Sequence, residues 1–241
     1  MKVEIWSDVA CPWCYVGKRR FEAALARFPQ RDAVEVEWKA FELDPGARAD
    51  GRDAHRPGDY ADRLGRKYGT SRAGAQQMLD NMTAVAAVEG LDFHFEKAPA
   101  INTFDAHRVI HLAHLRGLQD AVKERLLEAY FSEGEQVTDH EVLVRLAAEA
   151  GLDADEVRAV LAEGRYADEV RADEAEAAAL GISGVPFFVV DRKYGVSGAQ
   201  PVELLLEVLT RAWSDRDPLT LVGAGGDTAD GAACGPDGCA V

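Results

Sequence analysis

The sequence has little positive charge and no long hydrophobic run. Its 241 residues include 27 Lys and Arg against 42 Asp and Glu, a formal net charge of −15 at pH 7. This acidity disfavours nucleic acid and anionic membrane surfaces as partners. No apolar run approaches the roughly 20 residues of a membrane-spanning helix, and residues 1–8 lack the apolar core of a secretion signal. We therefore expect a cytoplasmic protein that binds neither nucleic acid nor membrane.

Cysteine is also scarce. The four cysteines are too few for a disulfide scaffold in a chain of this length. They form two close pairs, Cys11 with Cys14 and Cys234 with Cys239. Two close pairs at opposite ends of the chain indicate chemistry rather than structural cross-linking.

The hydrophobic pattern predicts strands at both ends of the chain and helices between them. Alternation indicates strands at 2–6 and 34–40, and a hairpin at 186–190 and 194–198. Helical spacing of apolar residues predicts a helix from Cys14 to Pro29, several helices over 60–180, and a last helix from Pro201 to about Trp213. This order, β-α-β, helices, β-β-α, predicts an α/β protein with a thioredoxin-like fold and an inserted all-helical domain.

The composition also suggests where these units end. Turn-forming and charged residues dominate 44–59. We expect a discontinuous thioredoxin-like domain at 1–58 and 181–215, and a helical insert at 59–180. Residues 216–241 are rich in Gly, Ala and Asp, which predicts a flexible tail carrying the second cysteine pair.

The sharpest motif is Cys-Pro-Trp-Cys at residues 11–14. Its position between a strand and a helix places Cys11 at a helix N-terminus, where partial positive charge stabilises a thiolate. We expect Cys11 to be an exposed, low-pKa nucleophile, aided by Lys18 and Arg19, and Cys14 to be the shielded resolving thiol. The alternative is half of a zinc site completed by the second cysteine pair, which the strand-to-helix position and the C-x4-C spacing of the tail disfavour.

Pro186 at the entrance of an apolar strand is a second signal. A proline there marks an edge, a bend or a cis peptide bond. Beside a dithiol, a cis Val185–Pro186 bond would expose the backbone of Val185 for pairing with an extended substrate. The alternative is an ordinary proline at the start of a strand.

Three histidines share one predicted helix. His107, His111 and His114 have a spacing that can bind a metal, but no carboxylate pattern completes a ligand set, so we predict no metal site. His107 is instead a candidate for the groove near Cys11, although packing alone could place it there.

The tail pair also has two interpretations. It is either an incidental dithiol or an auxiliary redox pair that exchanges with Cys11 and Cys14. Exposed cysteines oxidise readily, and we favour the auxiliary redox role for Cys234 and Cys239.

Three motifs in this order resemble the FrnE-like branch of the DsbA-family oxidoreductases, and the likeness extends over roughly residues 1–215. They are Cys-Pro-Trp-Cys-Tyr-Val-Gly-Lys-Arg-Arg at 11–20, Asn-Thr-Phe-Asp-Ala-His-Arg at 102–108, and Gly-Ile-Ser-Gly-Val-Pro-Phe-Phe at 181–188. The resemblance implies a thioredoxin fold with a helical insert, a redox-active Cys11–Cys14 pair and a cis-Pro186 opposite it.

The resulting hypothesis is a cytoplasmic thiol–disulfide oxidoreductase, an oxidase or isomerase of protein disulfides. Cys11 and Cys14 are the catalytic residues, and Pro12, Trp13, Val185, Pro186 and His107 bind substrate. Substrates are cysteine-containing proteins or peptides, with glutathione as a possible co-substrate and no other cofactor; the oligomeric state stays open. One rival is a glutathione-dependent transferase or 2-hydroxychromene-2-carboxylate isomerase, a sister group with Ser at the first motif position. The other rival is a chaperone-like binding module without turnover.

Overall fold

The core of the molecule is a four-stranded mixed sheet. A computed structural model describes residues 1–47 and 60–216. The strands are β1 (Lys2–Ser7), β2 (Glu35–Ala40), β3 (Phe187–Val190) and β4 (Tyr194–Ser197). In the order β2-β1-β3-β4, β1 is parallel to β2 and antiparallel to β3, and β3 and β4 form an antiparallel hairpin.

Strand β1 is covered on both faces. Val3 and Ile5 point to one face, where they share a core with helices α1 (Pro12–Arg27) and α9 (Val202–Ser214). Trp6 points to the other face, and its indole Nε1 donates to the carbonyl of Asp173 over 2.9 Å. The end of β1 that leads into α1 is therefore packed on both faces of the sheet.

Between β2 and β3 the described chain is helical. Its helices are α2 (Tyr60–Tyr68), α3 (Arg72–Val88), α4 (Phe104–Leu115), α5 (Gln119–Glu128), α6 (His140–Glu149), α7 (Ala154–Glu163) and α8 (Ala167–Ala179). A π-helical turn at Ala129–Glu133 continues α5 and ends at Gly134, whose φ is 77°. This turn contributes Phe131, which stacks on Phe93 with ring centroids 4.8 Å apart.

The predicted fold class is confirmed, and the elements agree closely with the sequence pattern. Helix α1 begins at Pro12, before the predicted Cys14, because proline fits the first helical turn without losing a hydrogen bond. Within the described ranges, no helix is long and apolar enough to cross a membrane. The division into two domains and a tail stays a prediction, since residues 48–59 and 217–241 lie outside the described chain.

Candidate active site

The Cys-Pro-Trp-Cys motif forms the first turn of α1. Cys11 is the residue before the helix, with extended backbone angles (φ −99°, ψ 109°), and Pro12 occupies the first helical position. The Cys14 amide donates to the Cys11 carbonyl over 3.0 Å. Trp13 projects outward with 44% of its surface exposed, whereas Cys14 is fully buried. Both cysteines are buried, so only the shielded position predicted for Cys14 agrees with this turn.

Pro186 lies against the same helix. The Val185–Pro186 peptide bond is cis, as the sequence predicts. The Cys11 thiol donates to the Val185 carbonyl, with 3.5 Å between Sγ and O. A Cβ added at Gly17 would lie only 2.8 Å from Cγ of Pro186. The absence of a side chain at Gly17 therefore lets the segment approach α1 beside the dithiol.

The expectation of an exposed, low-pKa Cys11 is wrong for this dithiol form. Cys11 is only 3% exposed, and burial raises the pKa of its thiol well above the ordinary value. The side-chain hydrogen bond with Cys14, the charge of Cys14 and the charge of Asp8 raise this pKa further, whereas the backbone amide of Cys14 lowers it. The sequence pattern did not reveal this burial.

Lys18 and Arg19 do not provide the expected help. The Lys18 ammonium forms ion pairs with Glu22, Asp120 and Glu124. Arg19 pairs with Glu22 and Glu124. These carboxylates pair with both cations on the side of α1 that faces α5. Neither positive charge is therefore available to stabilise a thiolate at Cys11.

A buried carboxylate and a buried imidazole lie near the dithiol. Asp8, 1% exposed, accepts from the Leu43 amide over 2.7 Å and from the Ala10 amide over 3.3 Å. Its Oδ1 lies 3.4 Å from Nε2 of His107. Burial opposes ionisation of Asp8, but the adjacent His107 side chain and the Leu43 amide leave the pKa of the carboxyl below its ordinary value.

The sequence predicted His107 in the groove near Cys11. The structure instead places His107 in the interior, beneath the dithiol. Its side chain is 2% exposed and turned toward Asp8. Burial lowers the pKa of His107, and the nearby Asp8 carboxylate offsets this only in part. His107 is thus a buried neighbour of Asp8, and its position does not favour direct contact with substrate.

The three histidines of α4 do not converge. His107 is directed at Asp8, whereas His111 Nε2 lies 3.0 Å from Asp173 Oδ2, and His114 is exposed. Among the residues that the structure describes, no group of three His, Cys, Asp or Glu could hold a metal ion. Cys234 and Cys239 lie outside those residues, so their auxiliary role stays a prediction.

Sequence reasoning missed Lys123 on α5. Its side chain is 1% exposed, and its Nζ donates to the Ser7 carbonyl over 3.4 Å. The sequence did contain a signal for the burial of Lys123, because this residue lies on the same face of α5 as apolar residues. That face consists of Gln119, Val122, Lys123, Leu126 and Leu127, which are all buried.

The chain matches the model of the DSBA-like thioredoxin domain over residues 2–210. It belongs to this family. The solved structure of a probable DsbA oxidoreductase from Streptomyces coelicolor is 54% identical, with a TM-score of 0.86, and the match covers 100% of this chain and 99% of that one. An uncharacterized protein, YwbO of Bacillus subtilis, is 27% identical over 195 residues, 78% of this chain and 86% of its own length.

Two more distant structures share the fold. The cytosolic disulfide reductase DsbM from Pseudomonas aeruginosa, also solved with GSH, is 18% identical, with a TM-score of 0.62 and coverage of 89% of this chain and 100% of its own. A 2-hydroxychromene-2-carboxylate isomerase is 16% identical, with a TM-score of 0.61 and coverage of 88% and 95%. These likenesses establish a common architecture and nothing finer.

Proposed function

We propose that this DSBA-like oxidoreductase exchanges disulfides with cysteine-containing proteins or peptides through a mixed disulfide on Cys11. The observation that carries the proposal is the Cys11 thiol at the start of α1, 3.5 Å from the Val185 carbonyl. A substrate sulfur bound to Cys11 would lie beside this backbone and beside the exposed Trp13. Cys14, one turn further and buried, then closes the disulfide with Cys11 and releases the substrate.

The test is to trap the intermediate. Cys14→Ser removes the resolving thiol. Attack of the Cys11 thiol on a disulfide of insulin or of scrambled ribonuclease releases the second substrate sulfur as a thiol, so a mixed disulfide should accumulate on Cys11. Cys11→Ser should form none. Non-reducing gels and mass spectrometry measure both results, with Cys234 and Cys239 replaced by Ser throughout. Trapping on Cys14 instead of Cys11, or turnover without Cys11, contradicts the proposal.

Glutathione is the small thiol that we propose as a co-substrate. The support is the likeness in fold to DsbM, which was solved with GSH. Incubation of the Cys14→Ser variant with oxidised glutathione should give a glutathione adduct on Cys11 and release one equivalent of reduced glutathione. The absence of an adduct at millimolar glutathione would remove glutathione from the proposal and leave protein thiols as the substrates.

The likeness in fold to the 2-hydroxychromene-2-carboxylate isomerase supports a second candidate function. A glutathione-dependent isomerase or transferase would turn over an aromatic substrate with glutathione and would not oxidise protein thiols. Cys11, where that group has Ser, favours disulfide exchange.

Binding of unfolded proteins that survives in Cys11→Ser would instead support a chaperone-like module.

A cytoplasmic location is part of the proposal. Its support is the likeness in fold to a disulfide reductase described as cytosolic. Fractionation of the source cells with an antibody against the chain tests it, and recovery outside the cytoplasm contradicts it.

A further inference from the structure

Arg20 joins helix α1 to two other segments of the chain. Its Nε donates to Oε1 of Glu89, the C-cap residue of α3, and its Nη1 donates to the carbonyl of Ala199, each over 2.6 Å. The Arg20 side chain is 20% exposed and that of Glu89 is 18% exposed. Charge-assisted hydrogen bonds that are largely shielded from water are stronger than those at an open surface. Arg20 therefore fixes the position of Ala199 relative to α1.

The Gly198–Ala199 turn, which connects β4 to α9, is also bonded to Pro186. The Gly198 amide donates to the Pro186 carbonyl over 2.8 Å, directly after the last paired residues of β3 and β4. The Gln200 backbone amide donates to the Gly198 carbonyl over 2.9 Å, and its side-chain amide donates to the Ser197 carbonyl over 2.8 Å. These bonds give the turn a defined shape. A displacement of Ala199 would therefore move the Gly198 amide, and the Pro186 carbonyl with it.

Helix α1 contacts this turn and Pro186 on one side. Gly17 precedes Arg20 by three residues, so the two lie on neighbouring turns of the same helix face. A Cβ added at Gly17 would lie 2.8 Å from Cγ of Pro186 and 3.5 Å from Cβ of Ala199. The two basic residues before Arg20 pair with carboxylates of α5 instead. Among residues 18–20, Arg20 is thus the one directed at the Pro186 segment.

We propose that Arg20 is a positioning residue for the disulfide exchange at Cys11. Through the Gly198–Ala199 turn it fixes the Val185–Pro186 segment against α1, and Glu89 orients its guanidinium. The Val185 carbonyl is thereby kept 3.5 Å from the Cys11 sulfur. This inference rests on the function proposed above, because it concerns how a substrate meets that backbone. Loss of Arg20 affects a peptide, which extends along the backbone, more than a small disulfide, which needs only the sulfur.

The first experiment measures the turn without any substrate. Amide hydrogen exchange is followed by NMR in the dithiol form of the full chain. Arg20→Met should raise the exchange rate of Gly198 about tenfold more than the rates of the β1 amides, because the turn then opens locally. Arg27→Met is the matched control, since Arg27 on the same helix pairs with Glu203 of α9 at the surface, and it should leave Gly198 unchanged. An unchanged Gly198 rate in Arg20→Met, or an equal rise in β1, overturns the proposal.

Substitutions at Glu89 test the same link with Arg20 in place. Glu89→Leu removes the carboxylate that orients the guanidinium, so the Gly198 exchange rate should rise by a smaller factor than in Arg20→Met. Glu89→Gln retains an acceptor for Nε and should stay close to the unaltered chain. This pair of variants keeps the proposal testable if Arg20→Met does not fold. Equal Gly198 rates in Glu89→Leu and Glu89→Gln contradict it.

The last experiment compares two substrates in a single turnover. The dithiol form, with Cys234 and Cys239 replaced by Ser, reduces either a peptide with one internal disulfide or a small disulfide, oxidised mercaptoethanol. Each substrate disulfide becomes two thiols while the protein's own pair is oxidised. Arg20→Met should slow the peptide reaction about tenfold relative to the small disulfide, because the displaced backbone misorients only the peptide, and Arg27→Met should slow neither. An equal loss for both substrates overturns the positioning role. Amide exchange needs no substrate, so a failure of the proposed function leaves that result in place, and a failure of this inference leaves trapping on Cys11 in place.

Discussion

At Gly17, a single missing side chain decides how closely the Pro186 segment approaches α1. A Cβ there would meet Pro186 Cγ at 2.8 Å, with Phe188 and Ala199 at 3.5 Å. We therefore expect Gly17→Ala to displace the segment that holds the Val185 carbonyl against Cys11. The overpacking costs about 1–3 kcal/mol, of which the better helix propensity of alanine returns about 1 kcal/mol.

The measurement compares stability with turnover in Gly17→Ala. The overpacking cost less the gain in helix propensity leaves a net loss of about 0–2 kcal/mol, which urea unfolding measures. Disulfide exchange should fall about tenfold or more, since the displaced residues are those beside the reacting sulfur. Turnover at the level of the unaltered chain would show that helix α1 accommodates the methyl group without moving Pro186.

Single residues also mark the limit of sequence reasoning at the site. The motif identified Cys11, Cys14 and Pro186, because a cysteine pair at a strand-to-helix junction and a proline before an apolar strand are local signals. The burial of Cys11 and the positions of Asp8, His107 and Lys123 depend on contacts between segments far apart in sequence, which no local pattern encodes.

At the scale of elements, helix α6 shows how a local signal fixes a boundary. Thr138 and Asp139 precede its apolar stripe, and the structure places Asp139 at the N-cap. Its carboxylate accepts from the amides of Glu141 at 2.8 Å and Val142 at 3.2 Å. Asp139→Ala leaves these amides without a side-chain acceptor and should lower the free energy of unfolding by about 1 kcal/mol.

Asp139→Asn is the matched control for the cap, because the amide oxygen of asparagine can accept the same bonds and should retain most of the stability. Chemical denaturation measures both variants. Disulfide exchange should be unchanged, since α6 contributes none of the residues of the site. An equal loss in both variants would assign the effect to the charge of Asp139 near the helix terminus rather than to its hydrogen bonds.

The element order was predictable because each element carries its own periodicity. The alternation in β1 and β2 and the helical spacing in α1 and α9 repeat within single segments, so they need no tertiary information. The π-helical turn after α5 was not predicted, since its sequence continues an ordinary helical pattern and the stacking of Phe131 on Phe93 is a long-range contact.

At the scale of the whole molecule, the hypothesis for the second cysteine pair is disulfide exchange between the two ends of the chain. Cys234 and Cys239 lie outside the described residues, and the proposal for them comes from the sequence. If they exchange with the Cys11–Cys14 disulfide, replacing both with Ser should slow multiple-turnover catalysis and leave single-turnover oxidation of a substrate intact. Equal multiple-turnover rates, with no disulfide to the tail in Cys14→Ser, contradict an auxiliary role.

The buried Asp8–His107 pair makes the stability of the whole molecule depend on pH. His107 has a lowered pKa when folded, so below its unfolded value of about 6.5 the unfolded chain binds a proton that the folded chain resists. The contribution of His107 to the free energy of unfolding is complete above about pH 6.5. It is lost as the pH falls toward the folded pKa of His107, by up to about 1.4 kcal/mol per pH unit.

Glu42 affects the free energy of unfolding in the opposite direction. Burial raises the pKa of Glu42 to about 6, so protonation of Glu42 on acidification favours the folded state. Asp8, whose pKa is lowered, contributes only below about pH 4.

A comparison of variants isolates the histidine, because Glu42 is common to all of them. Urea unfolding between pH 7.5 and 5 should show a steeper loss of stability in the unaltered chain than in His107→Gln, which can still donate to Asp8 and has no proton to gain. His114→Gln, at an exposed position on the same helix, is the control and should keep the slope of the unaltered chain. If His107→Gln also keeps that slope, then His107 is protonated in the folded state as readily as in the unfolded one, which contradicts a lowered pKa for His107.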